Sequence, residues 1–246
     1  MDIHSKNRPR LIYLPGIDGT GRLLYRQPTL FDRYDVRCIR YPQDRPNSYA
    51  ELAALGAEQL EPDGGTVLAE SFGGAVALTL ALSRPELVHR LILVNTFARY
   101  PRQPLIKLLA SVGKWLPHRP SQSKTRGVRG WFFFPPEISE VDREAWWERT
   151  ADIPLWAYGM RIGMIARLDL RPRLKEVAIP SVVFVSPNDR VVPPCSGRLL
   201  ARELPNAKLI EWPAGHAAMI HPKVDIGRMI EGVGIQTLVE RSNGFG

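Results

Sequence analysis

Short runs of β-branched and large apolar residues alternate along this chain with longer stretches whose apolar positions recur at helical spacing. Residues 10–16 (RLIYLPG), 34–41 (YDVRCIRY), 65–71 (GTVLAES), 91–95 (LILVN), 181–186 (SVVFVS) and 208–212 (KLIEW) predict strands. Several are apolar on both faces, as a strand covered on both sides of a parallel sheet must be. Helical patterns fall between them at 21–31, 48–61, 72–84, 195–204 and 222–240. Strand followed by helix, repeated, predicts right-handed crossovers and an α/β fold: a mostly parallel sheet of about six strands flanked by helices. Ser48 with Glu51 three residues on has the pattern of a capping box, and Pro222 stands where a first-turn proline is tolerated.

The rhythm breaks once. After 91–95 about 85 residues pass before the next strand pattern. They hold PLIKLLASVGKWLPH (104–118), a basic stretch (118–129), WFFFPP (131–136) and a long helical pattern (144–170). Structureless chain of that length is implausible inside a compact domain. An inserted helical cap over 98–175 is therefore expected, with the core formed by 1–97 and 176–246. Five of the six tryptophans fall in the insertion, so it has the means to build a small core of its own. Trp131, Phe132 and Trp156 are the candidate substrate contacts within it, on the alternative that its aromatics form a partly exposed acyl-binding surface.

Composition sharpens this division. At 246 residues, 44% hydrophobic and 24% charged, the chain is neither disordered nor fibrous. Its net charge is +8, and residues 98–175 alone hold 15 Lys/Arg against 7 Asp/Glu. The remainder is neutral. Residues 99–129 carry eight basic side chains and no acid. Such a face is solvated, or docks an acidic carrier, or adsorbs to an anionic membrane surface through the amphipathic PLIKLLASVGKWL. Nucleic acid is not expected, because the basic stretch lacks a recognition fold. Two cysteines, Cys38 and Cys195, offer neither a disulfide framework nor zinc spacing. Cys195 is expected to be a small buried residue. The start MDIHSKNRPR has no apolar core of a signal peptide, and no run of 18 apolar residues occurs, so a cytoplasmic location is expected.

The chemistry concentrates at TVLAESFGG (66–74). A strand ends at Glu70, Ser71 follows, and Phe72-Gly73-Gly74 opens an apolar helix. Small residues two positions either side of the serine, here Ala69 and Gly73, let strand and helix pass closely while the hydroxyl stands above the sheet. Asp189 follows a later strand in SPNDRVVPP, and His216 follows the last strand in PAGHAAMIHP. Serine, acid and histidine in that order, each after a parallel strand, suit a nucleophile, an orienting carboxylate and a general base. His221 is the competitor for the last role, but it directly precedes Pro222 and reads as a residue opening a helix. The turn LPGIDGTG (14–21) after the first strand is rich in backbone donors. The amides of Ile17 and Phe72 are the candidate oxyanion donors.

These motifs resemble the α/β-hydrolase superfamily of the lid-bearing serine type. LPGIDGTG corresponds to an oxyanion turn that commonly reads HGxxG, ESFGG to the nucleophile elbow, SPNDRVVP to the acid loop and PAGHAAMIHP to the histidine loop. The resemblance spans the chain, with 98–175 in the place of the family's cap and the family's first two strands missing. Ala69 stands where the elbow usually has glycine, and Pro15 where the turn usually has histidine. The PGIDG variant is similar to that of esterase and acyltransferase branches such as the phytyl ester synthases.

The resemblance implies two-step acyl transfer without metal or organic cofactor, on a carboxylic ester or thioester of a hydrophobic acyl group. An acyltransferase using the same acyl-enzyme and a low-turnover ligand-binding protein on the same fold stay open as alternatives. So do C–C bond hydrolases, which share the triad. Oligomeric state is not legible. Asp18 is expected to turn from the oxyanion site and cap the amides of the helix starting near Gly21. For Glu70 a buried hydrogen-bonded group, a substrate contact and a polar strand terminus are all compatible with the sequence.

Overall fold

The computed structural model describes residues 8–118 and 126–232. Six strands form one parallel sheet in the order β2-β1-β3-β4-β5-β6. They are β1 (Arg10–Leu14), β2 (Asp35–Cys38), β3 (Gly65–Glu70), β4 (Val88–Val94), β5 (Ser181–Val185) and β6 (Ala207–Glu211). The order reverses between β1 and β3, the place where open α/β sheets leave a crevice at the carboxyl ends of their strands.

Helices α1 (Pro28–Arg33), α2 (Tyr49–Leu60), α3 (Phe72–Ser83), α8 (Cys195–Glu203) and α9 (Ile226–Gly232) follow their strands. Between β4 and β5 lie α4 (Gln103–Gly113), α5 (Arg126–Phe133), α6 (Glu140–Arg149) and α7 (Leu155–Arg167). Alternate residues of the central strands feed two cores. Ile12, Leu14, Val67, Ala69, Leu91 and Leu93 join α2 and α3, while Leu11, Tyr13, Leu68 and Ile92 pack with Leu30, Ile226 and Ile230. Helix α3 is apolar nearly all round and buried along most of its length, because it crosses the middle of the sheet.

The capping box at Ser48 and Glu51 forms, with each side chain bonding the other's amide. Three sequence expectations need correction. The helix expected over 21–31 is broken at Gln27 into a 3₁₀ turn (Leu23–Arg26) and α1. Gln27 is fully buried; its amide donates to Met219 and Val224 carbonyls and its oxygen accepts from Ile226 N, so the break anchors the C-terminal region.

The helix expected over 222–240 begins only at Ile226. Pro222 lies in a turn, and Asp225 supplies the cap by accepting from Arg228 N at 3.1 Å. The rest of that expected helix beyond residue 232, like the basic stretch 119–125 with Arg119 and Lys124, lies outside the described residues. Cys195 is exposed at the start of α8 and not buried; the small residues of that helix turned to the sheet are Ser196 and Gly197.

Helices α4 and α7 meet through glycine. A Cβ on Gly159 would lie 2.0 Å from the Gly113 carbonyl oxygen. Gly159→Val should therefore force the pair apart and lower the unfolding free energy by about 1–3 kcal/mol, read from urea denaturation. An unchanged midpoint would show that the two helices yield without cost.

Candidate active site

Ser71 joins β3 to α3 at φ 50° and ψ −119°, a region non-glycine residues avoid. Its neighbours show what holds it. Ser71 N donates to Val94 O at 2.9 Å, and Ser71 O accepts from Gly74 N and the Thr96 hydroxyl. A Cβ at Gly73 would lie 2.2 Å from Leu14 O, and one at Gly74 would lie 2.1 Å from Thr96 Oγ1. No side chain fits at either position.

His216 Nδ1 lies 2.8 Å from Asp189 Oδ2. The other carboxylate oxygen, Oδ1, accepts from Val191 N at 2.8 Å and Val192 N at 2.9 Å. Asp189 thus closes its own loop with one oxygen and holds the imidazole with the other. Burial lowers the pKa of His216, but the Asp189 charge and hydrogen bond outweigh it, and Glu70 adds to them; the net shift is upward from 6.5. His221 is buried elsewhere, where its Nδ1 accepts from Lys223 N.

Two asparagines that sequence reasoning passed over set the histidine loop. Asn95, buried at φ 47°, donates to Gly215 O at 2.7 Å and accepts from Ser186 N at 2.9 Å. Asn188 Oδ1 accepts from Gly215 N at 3.0 Å. Gly215, at φ 64°, is gripped on both sides one residue before His216. An asparagine directly after a buried strand was the legible sign of Asn95.

The turn after β1 is held from all directions. Gly19 N donates to Gly16 O, Tyr41 OH to Pro15 O, and Gln43 to Asp18 O. Asp18 folds back to accept from Thr20 N at 2.9 Å and Thr20 Oγ1 at 2.6 Å, so it caps a turn and not a helix starting near Gly21. Arg161 completes the clamp. Reaching from α7 at 1% exposure, its guanidinium donates to Ile17 O at 2.9 Å, Asp18 O at 3.1 Å and Pro42 O at 3.1 Å. It also stands over the Tyr41 ring. Sequence reasoning missed Arg161, although its place on the buried face with Ala157, Met164 and Ile165 was a signal.

Ser71, His216, Ile17 and Asp18 line one cavity of about 40 Å³, with Glu70 and Gly16 at its wall and Leu23, Phe133, Trp146 and Tyr158 around it. Neither the Ile17 nor the Phe72 amide has an acceptor among the described residues. The Phe72 amide opens α3, where the helix itself offers none. The Phe72 ring is fully buried against Tyr41 and Tyr49.

None of Trp131, Phe132 and Trp156 lines the Ser71 cavity. Trp131 is exposed beneath the Arg190 guanidinium and borders an outer hollow of about 650 Å³ that contains none of Ser71, Asp189 and His216. Phe132 lines a small crevice it shares with His216. Trp156 stacks on His118. The aromatic residues at the Ser71 cavity are Phe133, Trp146 and Tyr158, from α5, α6 and α7.

Glu70 is lifted to about 7, first by burial and then by the Asp18 carboxylate, against the opposing pull of His216 and the Gly16 amide. The folded chain therefore holds a proton that the unfolded chain has released, and stability drawn from this carboxyl is full below about 4.5 and is lost as pH rises through about 7. In Glu70→Gln that dependence is absent. The unfolding free energy of the natural protein minus that of the variant should fall between those pH values, measured by denaturant titration. A pH-independent difference would show that Glu70 ionises as it does in the unfolded chain.

Comparison with known proteins agrees with this architecture. A profile of the alpha/beta hydrolase family matches residues 11–226. The chain is 28% identical over 236 residues to the "Putative carbamate hydrolase RutD" of Pseudomonas syringae, covering 86% of this chain and 88% of that one. It is 28% identical over 237 residues to a pimeloyl-[acyl-carrier protein] methyl ester esterase of Aeromonas hydrophila, covering 87% and 91%. It is also 32% identical over 118 residues to phytyl ester synthase 1 of Arabidopsis thaliana, covering 44% of this chain and 17% of that one. The crystal structure of an enol-lactonase from Burkholderia xenovorans superposes with a TM-score of 0.78 at 17% identity, covering 94% and 92%.

Proposed function

The chain belongs to the alpha/beta hydrolase family, and we propose that it cleaves a carboxylic ester or thioester of a hydrophobic acyl group through an acyl-enzyme on Ser71. The observation that carries the proposal is one of geometry. His216 is held at 2.8 Å by Asp189 and shares its cavity with Ser71, a serine at a strained φ of 50° between strand and helix.

In this reading Ser71 Oγ bonds to the substrate carbonyl carbon while its proton passes to His216 Nε2. The carbonyl electron pair moves to oxygen, which accepts from the amides of Ile17 and Phe72, each contributing about 3 kcal/mol at the transition state. On collapse the bond to the alcohol or thiol breaks, and His216 returns the proton to that leaving group. Water, deprotonated by His216, then attacks the acyl-enzyme and releases the acid. Asp189 holds the imidazole tautomer throughout and balances the imidazolium. A Glu70 that keeps its proton to about pH 7 limits negative charge beside the developing oxyanion.

Residues 98–175 act in this proposal as a cap. Phe133, Trp146 and Tyr158 supply an apolar wall, which suits a hydrophobic acyl group. A cavity of about 40 Å³ is close to the volume of a single water, about 30 Å³. A substrate therefore needs these aromatics to shift. The methyl ester esterase among the relatives supports the ester reading, and the partial match to a phytyl ester synthase supports acyl transfer to an alcohol as the second reading.

A fluorophosphonate probe should label the natural protein once per chain and leave Ser71→Ala unlabelled, with hydrolysis of a graded panel of acyl esters and thioesters lost by about three orders of magnitude or more in the variant. Labelling that survives Ser71→Ala would sink the assignment. In the same panel, a long-chain alcohol that diverts product from free acid to a new ester would favour transfer over hydrolysis.

Phe133→Ala enlarges the cavity at its wall; because the Phe133 ring also packs 5.6 Å from the His216 ring, the effect is read as a ratio between acyl groups. It should raise kcat/KM for bulkier acyl groups relative to acetyl, read on the same series. An unaltered chain-length profile would remove Phe133 from the acyl site.

A further inference from the structure

We propose that α4 is a membrane-docking surface, lying flat on an anionic lipid bilayer with its apolar face toward the acyl chains. The inference stands apart from the hydrolase reading, because its test reads binding and not turnover.

Helix α4 is inverted relative to an ordinary surface helix, which buries its large apolar side chains. Its inward stripe is Gln103, Ile106, Ala110 and Gly113, and the last meets Gly159 backbone to backbone. Turned outward are Leu105 at 45% exposure, Leu108 at 63%, Leu109 at 44% and Val112 at 56%, with Trp115 at 79% just beyond the helix end. At 100° per residue these five occupy one continuous arc of about 120°, opposite the stripe that faces the body. This apolar ridge matches the side-on insertion of an amphipathic helix at the headgroup boundary, with a tryptophan at its edge.

Charge selects the lipid. Residues 99–118 contain Arg99, Arg102, Lys107 and Lys114 and no carboxylate. Arg99 is engaged with Asp169 at 3.5 Å. Arg102 borders the apolar arc on its Leu109 side, and Lys114, whose ammonium stands 5.4 Å from the centroid of the Trp115 ring, meets it at the Trp115 edge; both are exposed. Against an acidic carrier protein the balance is wrong, since five large apolar groups outnumber these two bordering cations. A second copy of the chain would bring like charges together with no acid in α4 to pair them. An anionic bilayer satisfies both features, and each cation near its surface adds about 1 kcal/mol of attraction.

Docking there would set the cavity beside the lipid. Helix α4 packs on α7, and Tyr158 of α7 lines the Ser71 cavity.

The test is co-sedimentation of the full chain with vesicles of phosphatidylcholine alone and of phosphatidylcholine containing phosphatidylglycerol. The expected result is retention on the anionic vesicles, several-fold weaker on the neutral ones and reduced by high salt. Leu108→Glu with Val112→Glu should weaken retention by about tenfold or more, with far-UV circular dichroism and thermal midpoint unchanged. Arg102→Glu with Lys114→Glu should abolish the preference for anionic lipid. Retention that is absent, or that survives the Leu108/Val112 change, overturns the proposal. So does a lipid-free dimer that the same change dissolves, which would assign the face to a second copy, or capture of an acidic acyl carrier protein in place of vesicles.

Discussion

The site depends on one close approach, the passage of α3 under the end of β1. Only glycine fits at position 73, where a Cβ would lie 2.2 Å from Leu14 O. That contact brings the start of α3 against the first strand and leaves Ser71 to make the sharp turn from β3 in a conformation that costs about 1–3 kcal/mol. The cost is offset by bonds on every side of the serine backbone: Val94 O receives its amide, and Gly74 N and the Thr96 hydroxyl donate to its carbonyl. Strands β1, β3 and β4 thereby share one constraint. Replacing either glycine would disturb all three.

From there a parallel sheet does the rest of the assembly. Every strand ends on the same edge, so the residues following β1, β3, β4, β5 and β6 are neighbours although 200 positions separate Gly16 from His216. Polar side chains then cross-link these strand ends. Asn95 after β4 bonds Ser186 at the end of β5 and Gly215 after β6, while Asn188 and Asp189 reach the histidine loop at two successive residues. Buried amides bonded to backbone fix loops more rigidly than apolar packing does, since every misplacement strands a donor or acceptor out of water.

What could be read in the sequence followed from local chemistry. The inner strands β1, β3, β4 and β5 were visible because buried parallel strands are largely apolar runs, and Ser71 and Asp189 follow two of these; β2 and β6 lie at the sheet edges with mixed patterns, and His216 was found by its place after the last of them. The break at Gln27 was hidden, since it is made by bonds to residues about 200 positions away, at Met219, Val224 and Ile226. Arg161 was half legible: its spacing from Ala157, Met164 and Ile165 puts it on the buried face of a helix, but only the fold brings it to the Ile17 and Asp18 carbonyls. Which aromatic of the insertion lines the Ser71 cavity depends on helix rotation. Phe133 does so while Trp131 and Phe132 do not, a difference of one or two residues that composition does not resolve.

Helix α7 is where the two halves of the molecule meet. Within four residues it presents Tyr158 to the Ser71 cavity, Gly159 to the backbone of α4, and Arg161 to the turn after β1. The bidentate pairs of Arg22 with Asp152 and Arg26 with Asp142 fasten the neighbouring segment to the same side of the sheet. The first pair is exposed and weak, whereas in the second the Asp142 carboxylate is buried. Arg161 differs from the first pair, because a guanidinium buried at 1% exposure among carbonyls cannot withdraw without stranding its charge and three acceptors. Asp142 of α6 is its counterpart, a buried carboxylate held by Arg26, so moving α6 off the sheet strands a charge as well. Movement of α7 would break the clamp on the turn that carries Ile17. The helices between β4 and β5 are therefore fastened to the sheet at two buried charges, Asp142 and Arg161, with the Gly113–Gly159 contact behind the second.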